Sequence, residues 1–476
     1  MKRSTSLWWC NLSVFVSAVA CSGASPNNMR PNLVDATPDT STPTDVTDAS
    51  TSPDVADVTQ PPPVDAGGPR VLHIALNSTA HTCAALATGA VRCWGLNDSG
   101  QLGVAPDEAG QRCRIPNRTP PRELPCATRA REVPGVTDAV DVAVGNGTSC
   151  ALKRDGSVWC WGLNDAGELG QGTSRLGANP TPVRVDLPTV RQLAFGAFHA
   201  CAVLMDGTVR CWGSNTFGQV GVAPDQSGGR CDEGDGTLSP CVTRPRAVDG
   251  LTDVRQVSLG RFHSCALKTD GTVRCWGLND SAQLGDGNIV PMAMARGAVV
   301  TAAVTDVRQI SVGGSHACAA RNDGTVHCWG WNDLGQLGGA GMETCNGPSG
   351  PFRCARRPTA VPGLAGVRAV AAGRFHTCFG LDTGAVQCSG RNDDGQAGIG
   401  TPSGETCAFT PDTLACVRTP REVSVSRVSE LGVGDYHSCA LREDGTVRCW
   451  GSNAYGQVGD GTTSNRLGPV EVLGVP

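Results

Sequence analysis

The chain has 476 residues, a formal net charge of −5, 4% aromatic residues, 62 glycines and 24 cysteines. That length can bury a large core, and the mildly acidic balance gives no electrostatic reason for a nucleic-acid partner. No continuous apolar run of about 18 residues occurs, so no membrane-spanning helix is expected.

The N-terminus reads as an export signal. Lys2 and Arg3 supply a positive start, Leu7 to Ala20 is mostly apolar, and small residues lead into Cys21. Such a short apolar run fits a signal peptide over residues 1–20. The segment Ala18-Val19-Ala20-Cys21 resembles the cleavage box of bacterial lipoproteins, although Ala18 stands where that box usually has a bulkier aliphatic. The resemblance implies lipidation at Cys21 and an outer-membrane lipoprotein; ordinary secretion is the alternative. Residues 21–69 are rich in Pro, Thr, Ser and Asp. They cannot bury enough apolar surface to offset their ordering entropy, and they read as a disordered spacer.

From residue 70 to 476 one unit repeats. Gly260 to Gly285 reads GRFHSCALKTDGTVRCWGLNDSAQLG, and Gly434 to Gly459 reads GDYHSCALREDGTVRCWGSNAYGQVG. Seven copies carry Cys-x9-Cys: Cys83 with Cys93, Cys150 with Cys160, Cys201 with Cys211, Cys265 with Cys275, Cys318 with Cys328, Cys378 with Cys388 and Cys439 with Cys449. An Asp-Gly pair between alternating residues is a hairpin signal. A three-residue loop Thr269 to Gly271 places Leu267 opposite Val273 and Cys265 opposite Cys275. Opposed residues of that kind lie within disulfide reach, so each pair is expected to staple a hairpin. Four further pairs are Cys113 with Cys126, Cys231 with Cys241, Cys345 with Cys354 and Cys407 with Cys416, which leaves only Cys10 and Cys21 over. Such arithmetic favours an oxidising compartment.

Six copies place a histidine two residues before the first cysteine: His81, His199, His263, His316, His376 and His437. His-x-Cys could ligate a metal, but no fourth ligand recurs, and a buried structural hydrogen bond is the plainer reading. The tryptophan after the second cysteine reads as packing. Thr148 replaces the histidine in the second copy and Ser389 the tryptophan in the sixth, which suits packing rather than chemistry. No metal or cofactor is expected.

The frame Gly-x-x-His-x-Cys-Ala-Leu-x-x-Asp-Gly-Thr-Val-x-Cys-Trp-Gly-x-Asn-x-x-Gly-Gln-Leu-Gly resembles the regulator of chromosome condensation repeat over the whole domain. The resemblance implies an all-β, seven-bladed β-propeller. The first copy lacks the Pro-x-x-Val lead-in of the others, and Pro469 to Val475 looks like that missing piece. One blade built from both ends of the domain is therefore expected, closing the ring and removing exposed strand edges. Nucleotide exchange and chromatin binding, known among relatives, rest on residues outside this frame and do not carry over.

Function is expected in the insertions. Copies one, three, five and six add a cysteine-clipped loop after the Gly-Gln-Leu-Gly segment, all in one slot and so on one face. Arginines follow each closing cysteine: Arg129 and Arg131, Arg244 and Arg246, Arg356 and Arg357, Arg418 and Arg421. They suggest a face that binds a protein or glycan; solvated, protease-resistant decoration is the alternative. Asp232-Glu233-Gly234-Asp235 fails the calcium-loop spacing. No catalytic set stands out, so an enzyme is not expected; a hydrolase or lyase in the central channel is the competing class. The expected protein is a monomeric binding scaffold of the cell envelope, touching membrane only through its lipid.

Overall fold

The computed structural model describes residues 70–476, except 77–79, 116–121, 233–235, 292–295, 340–342, 348–349, 402–404 and 410–411. The export signal, Cys21 and the spacer lie outside the described residues. Seven antiparallel sheets follow one another along the chain, four of five strands and three of four. Their first strands are Val71–Leu76, Ala139–Val144, Val190–Phe195, Val254–Leu259, Val307–Val312, Val367–Ala372 and Val428–Val433. Each first strand packs against the next, and the seventh against the first, which makes them the inner wall of a seven-bladed propeller.

The staple geometry follows the repeat. Cys265 pairs with Cys275 and Leu267 with Val273 across the second and third strands. Gly271 takes φ +77° in the turn between them, a region only glycine enters freely. The same register recurs in every blade. Disulfides join Cys83 to Cys93, Cys150 to Cys160, Cys201 to Cys211, Cys265 to Cys275, Cys318 to Cys328, Cys378 to Cys388 and Cys439 to Cys449, with Cα separations of 4.0–4.1 Å.

The ends meet, but not within one sheet. Every sheet takes its strands from one continuous stretch of chain. The expected lead-in belongs to the blade before it: Val470 pairs with Cys449 as Val183 pairs with Cys160. The C-terminal segment is thus the outer strand of the seventh blade, and the first blade lacks nothing. Closure comes from side-by-side packing, with the Ala130 amide donating to the Leu473 carbonyl at 2.9 Å.

The clipped loops are β-hairpins. Gln111–Ile115 pairs with Arg122–Glu132, Gly229–Asp232 with Leu238–Ala247, Glu343–Gly347 with Gly350–Ala360, and Thr406–Phe409 with Asp412–Val423. The outer strand overruns its blade and its free half gains a fifth strand, so the insertion's backbone polar groups are paired. Here disulfides join Cys113 to Cys126, Cys231 to Cys241, Cys345 to Cys354 and Cys407 to Cys416, with Cα separations of 5.8–5.9 Å. These cysteines sit in wider pairs than those of the blades, and each ties the added strand to the blade's outer strand.

Candidate binding face

One polar set joins each blade to the next. The residue between His and Cys carries a hydroxyl in five blades. It donates to a carbonyl in the preceding blade's Gly-Gln-Leu-Gly segment: Ser149 to Gln101, Ser264 to Gln219, Thr377 to Gln336, Ser438 to Gln396 and Thr82 to Gln457, at 2.8–3.1 Å. With its hydrogen so engaged, the hydroxyl accepts Nε2–H from the histidine of a neighbouring blade. His81, His199, His316, His376 and His437 make that bond at 2.7–2.9 Å. Six buried tryptophans donate Nε1–H to the same carbonyls or their equivalents at 2.7–3.0 Å. Five of the six histidines are therefore structural hydrogen-bonders, and the bonds from Thr82 and Trp94 to Gln457 close the ring by the same chemistry used elsewhere.

Two irregularities test this account. Ala317 stands where the fifth blade should offer a hydroxyl, and His263 consequently has neither ring nitrogen partnered. Ala317→Ser should supply the acceptor and raise stability by about 1 kcal/mol, read as a higher Tm. Ala200→Ser, facing Thr148 rather than a histidine, should not; equal shifts in the two variants would refute the pairing. In the sixth blade Ser389 replaces the tryptophan, while Phe379 stands where other blades have alanine. A side chain on Gly338 would touch the Phe379 ring, just as one on Gly285 would strike Trp329. Phe379 thus fills the vacated volume. Phe379→Ala should cost about 3–5 kcal/mol, and adding Ser389→Trp should recover much of it; additive destabilisation in denaturant melts would contradict the exchange.

The channel wall has its own pattern. At the third position of the inner strand, Gln192 accepts the Val257 amide and donates to its carbonyl, and Gln256 does the same to Ile310, at 2.8–3.1 Å. Blades seven, one and two carry Glu430, His73 and Asp141 there instead. His73 Nδ1 lies 3.3 Å from Glu430. Burial opposes its charge, but the Glu430 hydrogen bond and the nearby Asp141 and Glu430 carboxylates hold its pKa up to about 9. Burial, helped by Glu430 and opposed by His73, pushes Asp141 up to about 6. No repeat-level signal marks this trio; only comparing one inner-strand position across blades would have found it.

The richest surface was also missed. The inner and third strands both end at the face bearing the glycine-histidine turns and the clipped hairpins; the Asp-Gly turns lie on the opposite face. The two residues between Gly and His vary, and in blades three, four, six and seven they hold Phe198, Arg261-Phe262, Arg374-Phe375 and Asp435-Tyr436. Phe198 stacks on Phe262 at 5.9 Å, and Phe375 meets Tyr436 at 5.8 Å. Phe409, from the sixth blade's hairpin, meets Phe375 at 5.9 Å and Trp331 at 6.1 Å, so hairpin and axial turns form one patch. Arg261 lies over Phe262, Arg374 over Phe375, and Arg391 over Tyr436, at 4.6–5.0 Å. Arg374 also pairs with Asp435 at 3.7 Å. Burial pushes the Asp435 carboxyl up, against the pull of Arg374 and Arg261.

The arginines after the closing cysteines divide into two groups. Arg131 donates to the Glu108 carbonyl at 2.8 Å, Arg246 to Gln226 at 2.5 Å and Arg418 to Thr406 at 2.9 Å, while Arg421 pairs with Glu405 at 2.5 Å and Arg356 with Glu343 at 3.7 Å. These brace their own insertions. Arg129, Arg244 and Arg357 lie over the neighbouring blade, against Gly461, Gly172 and Gly287. Among the described residues, one group of metal-ligand type stands together, Glu343 with Cys345 and Cys354, and its thiols are spent in a disulfide.

The model of the RCC1-like domain matches residues 47–417, and the regulator of chromosome condensation (RCC1) repeat matches 428–457 and 444–476. The chain belongs to the RCC1-like domain family. This RCC1-like chain is 28% identical over 391 residues to the human E3 ubiquitin-protein ligase HERC2, covering 80% of this chain but only 7% of HERC2. It is 27% identical over 413 residues to the Arabidopsis thaliana ultraviolet-B receptor UVR8, covering 86% of this chain and 83% of UVR8. The yeast RCC1 (Prp20) structure with Kap60 superposes with a TM-score of 0.62 at 22% identity, over 83% of this chain and 85% of that one. Human WBSCR16 gives 0.62 at 22% identity, over 80% and 93%. The many disulfides fit an oxidising compartment, and no helix among the described residues is long and apolar enough to cross a membrane.

Proposed function

We propose that this RCC1-like propeller is an exported binding scaffold, lipid-anchored at Cys21 through the spacer that follows it, that captures a protein partner on its hairpin-bearing face. The observation that carries this reading is the pair of aromatic clusters on that face, Trp331, Phe375, Phe409 and Tyr436 with Arg374 and Arg391 over them, and Phe198, Phe217 and Phe262 with Arg261 over Phe262. Aromatic and arginine side chains dominate interface energetics, and disulfide-pinned hairpins lose little entropy on binding. The arginines over the neighbouring blades extend the same face toward the rim. A protein-bound relative, yeast RCC1 with Kap60, supports a protein partner rather than a glycan. The channel trio would favour an enzyme, but Glu430 accepts the Ile74 amide at 3.4 Å, the bracing role glutamines play in other blades.

Pull-down from envelope extracts should recover a partner with the full protein and lose it at least tenfold when Arg374→Ala is combined with Tyr436→Ala. Arg448→Gln, altering an exposed ion pair with Glu471 at 3.6 Å, should leave capture intact. Capture that survives the double substitution and deletion of the four hairpins would refute the proposal. Capture abolished by glycosidase but not protease treatment of the extract would make the partner a glycan.

A further inference from the structure

The opposite mouth of the channel has a different chemistry. At the second position of the inner strand, four successive blades carry Arg191, Arg255, Arg308 and Arg368. Each guanidinium donates to the carbonyl of the next blade's first inner residue: Val254, Val307, Val367 and Val428, respectively. The Arg255 bond measures 2.8 Å. The amides of those same valines are held by the second-to-third-strand turns of the preceding blades, at Gly207, Gly271, Gly324 and Gly384. The four arginines therefore lie along one arc at the Asp-Gly end of the inner wall, away from the aromatic patch. Blades seven, one and two place Ser429, Leu72 and Val140 at this position.

The arc is electrostatically incomplete. Among the described residues none of the four arginines makes an ion pair. The Nε atoms of Arg255 and Arg308 are buried without a partner. A buried donor left unpaired is destabilising. Desolvation, and then repulsion from Arg191, lowers the pKa of Arg255; desolvation and Arg368 do the same to Arg308. The carboxylates that directly precede two of those valines are engaged elsewhere, Asp253 with Lys268 and Asp306 with Arg321, and Glu430 lies against His73. Each guanidinium spends one Nη donor on a carbonyl, which fixes its position and leaves its other Nη donors for a ligand.

We propose that this arc is an anion-binding site for a compact ligand carrying two or more linked phosphate groups. Guanidinium forks match phosphate oxygens two at a time. Four of them in successive blades suit a row of phosphates better than a single one. The carbonyl bonds hold the arginines in place before the ligand arrives, so little side-chain entropy is lost. The site is independent of the protein-binding face.

Calorimetric titration of the purified full chain with sodium tripolyphosphate tests this. One ligand should bind per chain, with at least tenfold weaker affinity at high salt. Arg255→Gln combined with Arg308→Gln should weaken binding at least tenfold, and Arg448→Gln should not. Should the double variant fail to fold, Arg368→Gln, whose side chain is exposed, should still weaken binding measurably. No binding, binding unchanged in the variants, or orthophosphate binding as tightly as tripolyphosphate would overturn the proposal.

Discussion

Reduced and alkylated protein is expected not to refold to a cooperative native state. Each blade disulfide joins cysteines ten residues apart. By the chain-entropy model, closing a loop of that size is worth about 3 kcal/mol. Seven such loops come to roughly 20 kcal/mol, more than the 5–15 kcal/mol that separates folded from unfolded states in typical domains. The cysteines are 0–1% exposed in these seven pairs, so reductant reaches them only through an opened blade. Reduction should thus be carried out in denaturant, followed by alkylation and removal of the denaturant. The measurement is the thermal melt against an oxidised control carried through the same steps. A reduced chain melting within a few degrees of the control would show that blade packing alone suffices.

Acid should unfold the protein well above the pH at which carboxylates titrate. Burial lowers the pKa of His81 to about 4 and of His199, His263, His316, His376 and His437 to about 3. Repulsion among neighbouring histidines adds to the effect for His263, His376 and His437. A lowered folded pKa means that stability is fully present above the unfolded value of about 6.5 and is lost as pH falls. At pH 5 each neutral imidazole then costs about 2 kcal/mol relative to the protonated unfolded chain. All six Nδ1 atoms are buried without partners, so an added proton finds no acceptor. Melts between pH 7 and 4 should fall steeply, with about six protons taken up on unfolding near pH 5. A flat Tm down to pH 4 would show that these imidazoles stay solvated. His73 runs the other way: its raised pKa gives stability present below about pH 6.5 and lost as pH rises through about 9.

The repeat frame made the fold legible because it encodes local geometry. Asp270-Gly271 specifies the turn, alternation specifies the register, and the register brings Cys265 to Cys275. A buried structural hydrogen bond was legible and is made by five of the six histidines, all but His263, but their partners were not legible. Pairing His316 with Thr377 requires knowing that one blade packs on the next. The expected blade from both termini failed for a related reason. The Pro-x-x-Val segment precedes each copy in sequence yet belongs to the blade before it, as Cys160 with Val183 shows. The candidate face was half legible. Insertions drew attention to Arg129 and its counterparts, whereas Arg374, Phe375 and Tyr436 sit inside the frame at positions the repeat leaves free. A pattern built on what recurs cannot register residues that matter because they differ.

The contiguity of the blades bears on how the covalent structure is made. Among the described residues every disulfide joins cysteines 9–13 residues apart, with no other cysteine between them. When the chain is delivered N-terminus first, Cys93 is the first thiol to follow Cys83, and Cys126 the first to follow Cys113. The same holds through Cys201 and Cys211, Cys318 and Cys328, Cys378 and Cys388, and Cys407 and Cys416. An oxidase working in order of appearance produces all these bonds without reshuffling, and each finished hairpin waits for its neighbour. The junction of the first blade with the last, where Thr82 meets His437 355 residues away and Thr82 and Trp94 reach Gln457, must wait for the last blade.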